Sequence, residues 1–284
     1  DISTLSIGEV GKLAASVFQD PRSQFFTTDS SSEVAFGLEN HGLNSEEIIE
    51  RVNYVYRESG LDKLKDRNVF ELSSGERQLV AILSAWALNV PLLLLDEPTA
   101  NLDYAAIEYL KELLKRLKSL GYTLIINEHR LYYLRDIADE YLLIEQGKLK
   151  ARLSCERLLT LSEKELAELS LRAIDLSALE YTCAATETDI KKYLELRGIQ
   201  FGYNRQDGIL RDVCLKAETG EVIGIIGSNG CGKTTLGKLI AGLYKPTAGE
   251  ICFGTNKLSK RELADNAIFI MQEAEFQFFT NSVI

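Results

Sequence analysis

The feature that most constrains this chain is a nine-residue stretch near its end, GSNGCGKTT at Gly227–Thr235. Gly227-Ser228-Asn229-Gly230-Cys231-Gly232-Lys233-Thr234 meets G-x-x-x-x-G-K-[ST] at every fixed position. An apolar run, Val222–Ile226, precedes it and reads as a strand; Thr234–Leu243 follows and reads as a helix. Glycines let the backbone turn so tightly that successive N–H groups converge on anionic oxygens. The helix N-terminus adds its partial positive charge. Such a loop holds the phosphates of a nucleotide, with Lys233 reaching the β- and γ-phosphates and the Thr234 hydroxyl a ligand for Mg²⁺.

A second feature bears on domain organisation. Val17–Thr27 reads VFQDPRSQFFT and Ile270–Thr280 reads IMQEAEFQFFT, with five of eleven aligned positions identical at an offset of 253. A period this long marks a duplicated domain, not a solenoid of short repeats. At 284 residues and 45% apolar content, the chain has room and material for one large domain or two small ones. A net charge of −10 argues against a nucleic-acid surface, which needs a basic face. Cys155, Cys183, Cys214, Cys231 and Cys252 are odd in number and lack metal-ligand spacing, which reads as reduced thiols in a cytosolic protein. No secretory h-region opens the chain, and no run of about 18 apolar residues occurs.

The patterning divides the chain in three. Residues 1–150 alternate helical and strand patterns. Helices are predicted over Ser45–Ser59, Ser74–Leu88 and Tyr104–Leu120, and strands over Leu92–Leu95, Tyr122–Asn127 and Tyr141–Glu145. Ile48, Val52 and Val55 share one face of the first helix, and Gly121 ends the third. This alternation predicts an α/β architecture around a mainly parallel sheet. Residues 151–192 read as a connector, with a short helix opened by the capping box Ser162-x-x-Glu165. Residues 193–284 bring further strands and turns, the phosphate loop and its helix.

The apolar strand Leu92–Leu95 ends in Asp96-Glu97-Pro98. Carboxylates at the C-terminal end of a buried strand stand where open α/β sheets bind ligands. Asp96 suits the Mg²⁺ side, because hard cations prefer carboxylate oxygens. Glu97 suits a water that attacks the γ-phosphate, as general base or orienting group. Asn101-Leu102-Asp103, and His129 at the end of the next strand, strengthen that assignment.

Together these residues carry a family resemblance. LSSGERQ (Leu72–Gln78), LLLLDEPTANLD (Leu92–Asp103) and NEH (Asn127–His129), with Gln19 and Gln272 in the repeated segments, resemble the motifs of ABC-type ATPases. The resemblance covers nearly the whole chain. It implies a P-loop NTPase fold with a mainly parallel sheet, a helical subdomain carrying the signature, and antiparallel strands near the phosphate loop. It also implies ATP and Mg²⁺ as ligands, and two nucleotide-binding domains that face each other head to tail. Each ATP is then held between the phosphate loop of one domain and the signature of the other. By this resemblance Tyr203 stacks on adenine and Gly227–Thr235 hold the phosphates, Thr235 included. Thr234, Gln272 and Asp96 attend Mg²⁺. Ser73, Ser74, Gly75 and Glu76 form the signature that meets the γ-phosphate of the facing site, and Asp103 belongs to the loop linking the two sites. Glu97, His129, Gln19 and Gln272 attend the attacking water and the γ-phosphate. Ser74 stands where glycine is usual and Glu76 where glutamine is usual; a Cβ at Ser74 is expected to weaken this half-site.

The two QFFT segments are similar to the glutamine loop of energy-coupling-factor importers, and Glu128–Leu149 resembles their fused, tandem form. This implies a peripheral ATPase on the cytoplasmic face of the plasma membrane that powers vitamin or metal-ion uptake. Its expected partners are a transmembrane coupling subunit, gripped around Phe25, Phe26 and the helix Ser45–Ser59, and a substrate-binding membrane subunit. The alternative is a soluble tandem ABC ATPase acting on ribosomes. EPTANLD lacks the asparagine–histidine pair typical of that branch, and the acidic balance is unhelpful for RNA. In the family the phosphate loop precedes the signature and the acidic strand; here it follows them. The chain is therefore expected to be a window on a tandem protein, cut at both ends. Residues 1–150 would be the C-terminal part of a first nucleotide-binding domain and 193–284 the N-terminal part of a second. On that reading no catalytic centre is complete in this chain, and the chain alone turns over ATP poorly. Folding of the two parts into one permuted domain stays open.

Overall fold

The computed structural model describes residues 2–100, 102–172, 174–175, 193–204 and 208–271. Asn101, Cys183, Gln272 and the QFFT segment that follows Gln272 lie outside the described residues. The chain divides into two compact units, Asp1–Glu180 and Tyr181–Ile284.

The first unit runs α1 (Ile7–Gly11), β1 (Ala14–Val17), α2 (Ser30–Asn40), α3 (Ser45–Ser59), α4 (Ser74–Ala87), β2 (Leu92–Asp96), α5 (Tyr104–Ser119) and β3 (Thr123–Asn127). It continues with β4 (Glu140–Glu145), β5 (Lys148–Ser154), α6 (Cys155–Leu159) and α7 (Glu163–Glu168). Strands β1, β2 and β3 form a parallel sheet in that order, with Val17 beside Leu95 and Asp96 beside Asn127. Parallel neighbours need long crossovers. Helices α2–α4 provide one and α5 the other, as the predicted alternation requires. The register brings the C-terminal ends of all three strands level, so the loops that leave them emerge side by side.

Helix α4 is apolar around most of its circumference and buries Leu79–Leu83 and Ala85–Ala87, the behaviour of a core helix. Helix α3 is amphipathic on the predicted face: Val52, Val55 and Tyr56 are buried and Ile48 packs against the same core. Asn44 and Glu47 cap its start reciprocally, and Gly60 ends it at φ 70°. The end of α4 is closed from α3. The Arg51 guanidinium donates to the carbonyl oxygens of Trp86 (2.7 Å) and Ala87 (2.9 Å) and to Asn89 Oδ1 (3.2 Å). It also lies over the Tyr54 ring at 5.0 Å. Carbonyls of a final helical turn have no partner within the helix, and Arg51 supplies one.

Strands β4 and β5 pair as an antiparallel hairpin. Leu158 of α6 and Leu166 of α7 join Leu131 and Ile174 in a small separate core. Ser162 and Glu165 form the predicted capping box.

The second unit contains β6 (Tyr193–Phe201), β7 (Leu210–Glu218), α8 (Lys233–Ile240), β8 (Ala248–Phe253), β9 (Asn256–Lys257) and α9 (Lys260–Asn266). Its strands make an antiparallel sheet in the order β7-β6-β8-β9. Leu196, Ile199, Leu236, Leu239, Ile251 and Leu263 fill the core between sheet and helices. Helix α8 stops short of the predicted Leu243, because Gly242 turns left-handed at φ 68°. The predicted strand Val222–Ile226 is a correction: it belongs to no sheet of the described residues, and Val222 and Ile226 are 96% and 93% exposed. A strand exists only as a ladder with a partner. Strands β6–β9 ladder among themselves, and the apolar character of the segment cannot replace backbone pairing.

Candidate active site

At the ends of β1, β2 and β3 the first unit gathers three side chains of complementary chemistry. Leu93 and Leu95 anchor β2 in the core, which delivers Asp96 and Glu97 to the sheet edge. Glu97 takes φ 41°, an uncommon backbone for a residue with a Cβ, and its N–H donates to Asn127 O at 2.9 Å. Strain of this kind costs on the order of 1–3 kcal/mol and collects at functional sites. Gln19, two residues past β1, donates from Nε2 to Glu97 Oε2 at 2.9 Å. His129, two residues past β3, places Nε2 3.0 Å from Glu97 Oε1. Asn127 Nδ2 donates to Asp96 Oδ1 at 3.3 Å. The predicted Gln19, Glu97 and His129 thus meet, and Asn127 is added to them. With Gln19 bonded to one oxygen and His129 Nε2 beside the other, the Glu97 carboxylate can orient a water and take its proton.

Asn127 was visible in the sequence only as part of NEH, because nothing in its spacing says which strand lies alongside it. The same holds for Tyr133, whose hydroxyl donates to Glu128 Oε2 at 3.1 Å. Burial, with the neighbouring Glu128 charge next, pushes the Tyr133 hydroxyl far above the usual phenol range, so it stays a donor.

The signature stands at the start of α4. Ser73 is the cap: its Oγ accepts from Glu76 N (3.2 Å), and Glu76 Oε2 accepts from Ser73 N (2.9 Å). The glutamate at the departing position therefore completes a capping box. Ser74 is the first helical residue, a conformation open to any L-residue, so its Cβ brings no backbone strain. Gly75 is buried; a Cβ there would stand 3.3 Å from Leu102 Cδ2. Asp103 caps α5 by accepting from Ala106 N at 3.0 Å. A helix N-terminus with small residues leaves room and partial positive charge for a phosphate oxygen.

In the second unit the phosphate loop is formed, though the strand expected before it is not. Gly227, Gly230 and Gly232 take φ 153°, 80° and 100°. A Cβ on Gly232 would lie 2.8 Å from Leu210 Cδ2, a side-chain end that can shift, so the φ of 100° is what favours glycine there. Lys233 opens α8 and bends back over its own loop, with Nζ donating to the carbonyls of Gly227 and Ser228, both at 2.7 Å. Ser228, Asn229 and Cys231 line the exposed loop and Thr234 stays exposed, whereas Thr235 is buried with Oγ1 3.2 Å from the Tyr203 hydroxyl. The Tyr203 ring meets Phe201 and Tyr244 edge-on at 5.3 and 5.7 Å and remains 57% exposed.

Comparison with known proteins gives these parts a family. The model of the family described as ABC transporter matches residues 2–100 and 210–283. The chain belongs to the ABC transporter family. A putative ABC transporter ATP-binding protein of Treponema denticola is 40% identical over 286 residues, covering 99% of this chain and 58% of that protein. The putative HMP/thiamine import ATP-binding protein YkoD of Bacillus subtilis is 29% identical over 296 residues, covering 95% of this chain and 54% of that protein. Among solved structures, cbiO1 of Clostridium perfringens, part of the ABC transporter complex cbiONQ, aligns with TM-score 0.52 and 31% identity. That alignment covers 59% of this chain and 66% of cbiO1. The chain thus spans little more than half the length of the curated relatives it matches. It has the ABC ATPase fold, and ABC ATPases are ATP-hydrolysing P-loop enzymes.

Proposed function

We propose that this chain is part of the ATP-hydrolysing component of an ABC importer, with Glu97 as the group that orients and deprotonates the attacking water. One observation carries this reading: Gln19 donates to one oxygen of the Glu97 carboxylate at the end of β2, and His129 Nε2 stands 3.0 Å from the other. The His129 imidazole, beside that oxygen, is placed to follow charge as the water loses its proton. The phosphate loop suits ATP, because glycines at 227 and 232 leave the backbone open and Lys233 brings a cation to it. Tyr203 offers an exposed aromatic ring for adenine. Mg²⁺ suits the hydroxyl of Thr234 in the second unit and, at a separate site, the carboxylate of Asp96 in the first, both of them exposed; Gln272 goes with Thr234 by family pattern. Mg²⁺ would neutralise phosphate charge. Ser73, Ser74, Gly75 and Glu76 at the start of α4, with Asp103, would serve the γ-phosphate of a facing site.

The doubled QFFT segment and the reversed motif order support a tandem protein in which the two units belong to different nucleotide-binding domains. The name of YkoD, an HMP/thiamine import protein, supports vitamin import, and the membership of cbiO1 in a transporter complex supports partner subunits; metal-ion uptake, a transmembrane coupling subunit and a substrate-binding membrane subunit follow from the family resemblance alone. By the family resemblance its place is peripheral, on the cytoplasmic face of the plasma membrane; among the described residues no helix is long and apolar enough to cross a membrane. Phe26 stacks on Phe36 at 4.8 Å yet stays 73% exposed, a surface suited to a membrane partner. The test is fractionation of the full-length protein and ATP-driven uptake in membrane vesicles. Cofractionation with membrane subunits and uptake lost on Lys233→Ala are expected; association with ribosomes instead would refute the reading.

A further inference from the structure

Glu128, the residue before the histidine, binds more donors than the proposed chemistry uses. Its Oε1 accepts from the backbone N–H groups of His129 (2.8 Å) and Arg130 (3.0 Å). Its Oε2 accepts from the hydroxyls of Thr99 (2.5 Å) and Tyr133 (3.1 Å). Thr99 and Tyr133 are both fully buried. Arg130 Nη1 then donates to Thr99 O at 3.0 Å, a second tie between the same segments.

Both carboxylate oxygens are engaged: Oε1 by two backbone N–H groups, which can only donate, and Oε2 by two hydroxyls. A glutamine can leave its carbonyl oxygen on the N–H pair and turn its NH₂ to the two hydroxyls, but only if both rotate to accept. The geometry also has a direction. The N–H groups bound by Oε1 belong to the loop that carries His129. The Thr99 hydroxyl bound by Oε2 lies two residues beyond Glu97, and Tyr133 lies in the short helical turn after the loop. One carboxylate therefore fastens the His129 loop to the turn that leaves Glu97.

We propose that Glu128 is a positioning residue that keeps the His129 imidazole on Glu97, acting through the loop backbone and without touching ATP. The inference rests on the reading of Glu97 and His129 as the pair that acts on the attacking water. It adds that the reach of His129 is set by the preceding side chain and by the buried Thr99.

The experiment is a double-variant cycle on the full-length protein, measuring kcat and KM for ATP in Glu128→Ala, His129→Ala and the combined variant. Displacing a catalytic group by about 1 Å costs up to roughly 100-fold in rate, so Glu128→Ala should lower kcat roughly 10- to 100-fold. KM should stay within about twofold, since the phosphate loop and the Tyr203 ring, which carry most of the ATP contact, are untouched. In the His129→Ala background the Glu128 change should cost almost nothing more, because its effect passes through the imidazole. Glu128→Gln keeps the side-chain volume and secures the comparison should the alanine variant fail to fold; its smaller loss should also vanish without His129. An equal loss in both backgrounds, or wild-type kcat in Glu128→Ala or in a folded Glu128→Gln, overturns the inference and leaves the site reading standing. Wild-type kcat in His129→Ala overturns the site reading itself, and the inference with it.

Discussion

Glu33→Ala should destabilise the first unit by roughly 2–4 kcal/mol. The side chain is 4% exposed, and one oxygen accepts from Phe26 N (3.0 Å), Thr27 N (2.9 Å) and Thr27 Oγ1 (3.0 Å). These bonds pin the QFFT segment to α2. A hydrogen bond to a charged group contributes about 1.5–3 kcal/mol when deleted singly. The three share one oxygen and are not additive, and removal relieves the cost of keeping a carboxylate out of water. Both corrections pull the total down to the range given. Glu33→Gln retains a carbonyl oxygen in the same place and should cost about 1 kcal/mol. Trp86 is the single tryptophan of the chain and is fully buried in the first unit, so its fluorescence during urea unfolding reports on that unit. The midpoint should fall with an unchanged slope. An alanine variant within about 0.5 kcal/mol of wild type, the scatter of ordinary surface changes, would refute the reasoning, as would a glutamine variant as damaged as the alanine one.

Arg51→Ala should cost about 2–3 kcal/mol by orphaning the Trp86 and Ala87 carbonyls, and Arg51→Lys should not restore it, since an ammonium lacks the planar fork; urea unfolding checks both. Burial pushes the Tyr56 hydroxyl up to about 12. Between about pH 10 and 12 the unfolded chain releases a proton that the folded one keeps, so stability falls by up to about 1.4 kcal/mol per pH unit. Denaturation of Tyr56→Phe at pH 8–11 should show that alkaline slope reduced by about one proton, with only a constant offset below pH 9. Gly232→Ala should weaken ATP binding measured by equilibrium titration at least about tenfold, because φ 100° strains any residue with a Cβ. In the full-length protein Glu97→Gln should bind ATP normally while kcat falls about 100-fold or more, the range for loss of a general base; unchanged turnover in a phosphate-release assay would remove Glu97 from the mechanism.

Legibility in the sequence followed the range of the interaction. Helix α3 and the Ser162 capping box were readable because their causes lie within a few residues: apolar spacing, a cap and a closing glycine. The family was readable because its motifs are short and dense. The strand Val222–Ile226 was misread, since apolar content marks burial somewhere but not a partner to pair with. Phe25 and Phe26 could be core or surface by sequence; the structure half-buries the first and exposes the second.

What the sequence determined alone is the phosphate loop, since nine consecutive residues carry in their own backbone the geometry that an anion needs. The acidic strand end was equally local. Only the tertiary structure decided which groups share a centre. Gln19 lies 78 residues from Glu97 and reaches it because parallel pairing sets β1 beside β2. His129 arrives by the register of β3, and Glu128 becomes a hub because the turn at Thr99 folds under it. Strand order and register are long-range choices made by packing the sheet against its helices, and no local pattern states them.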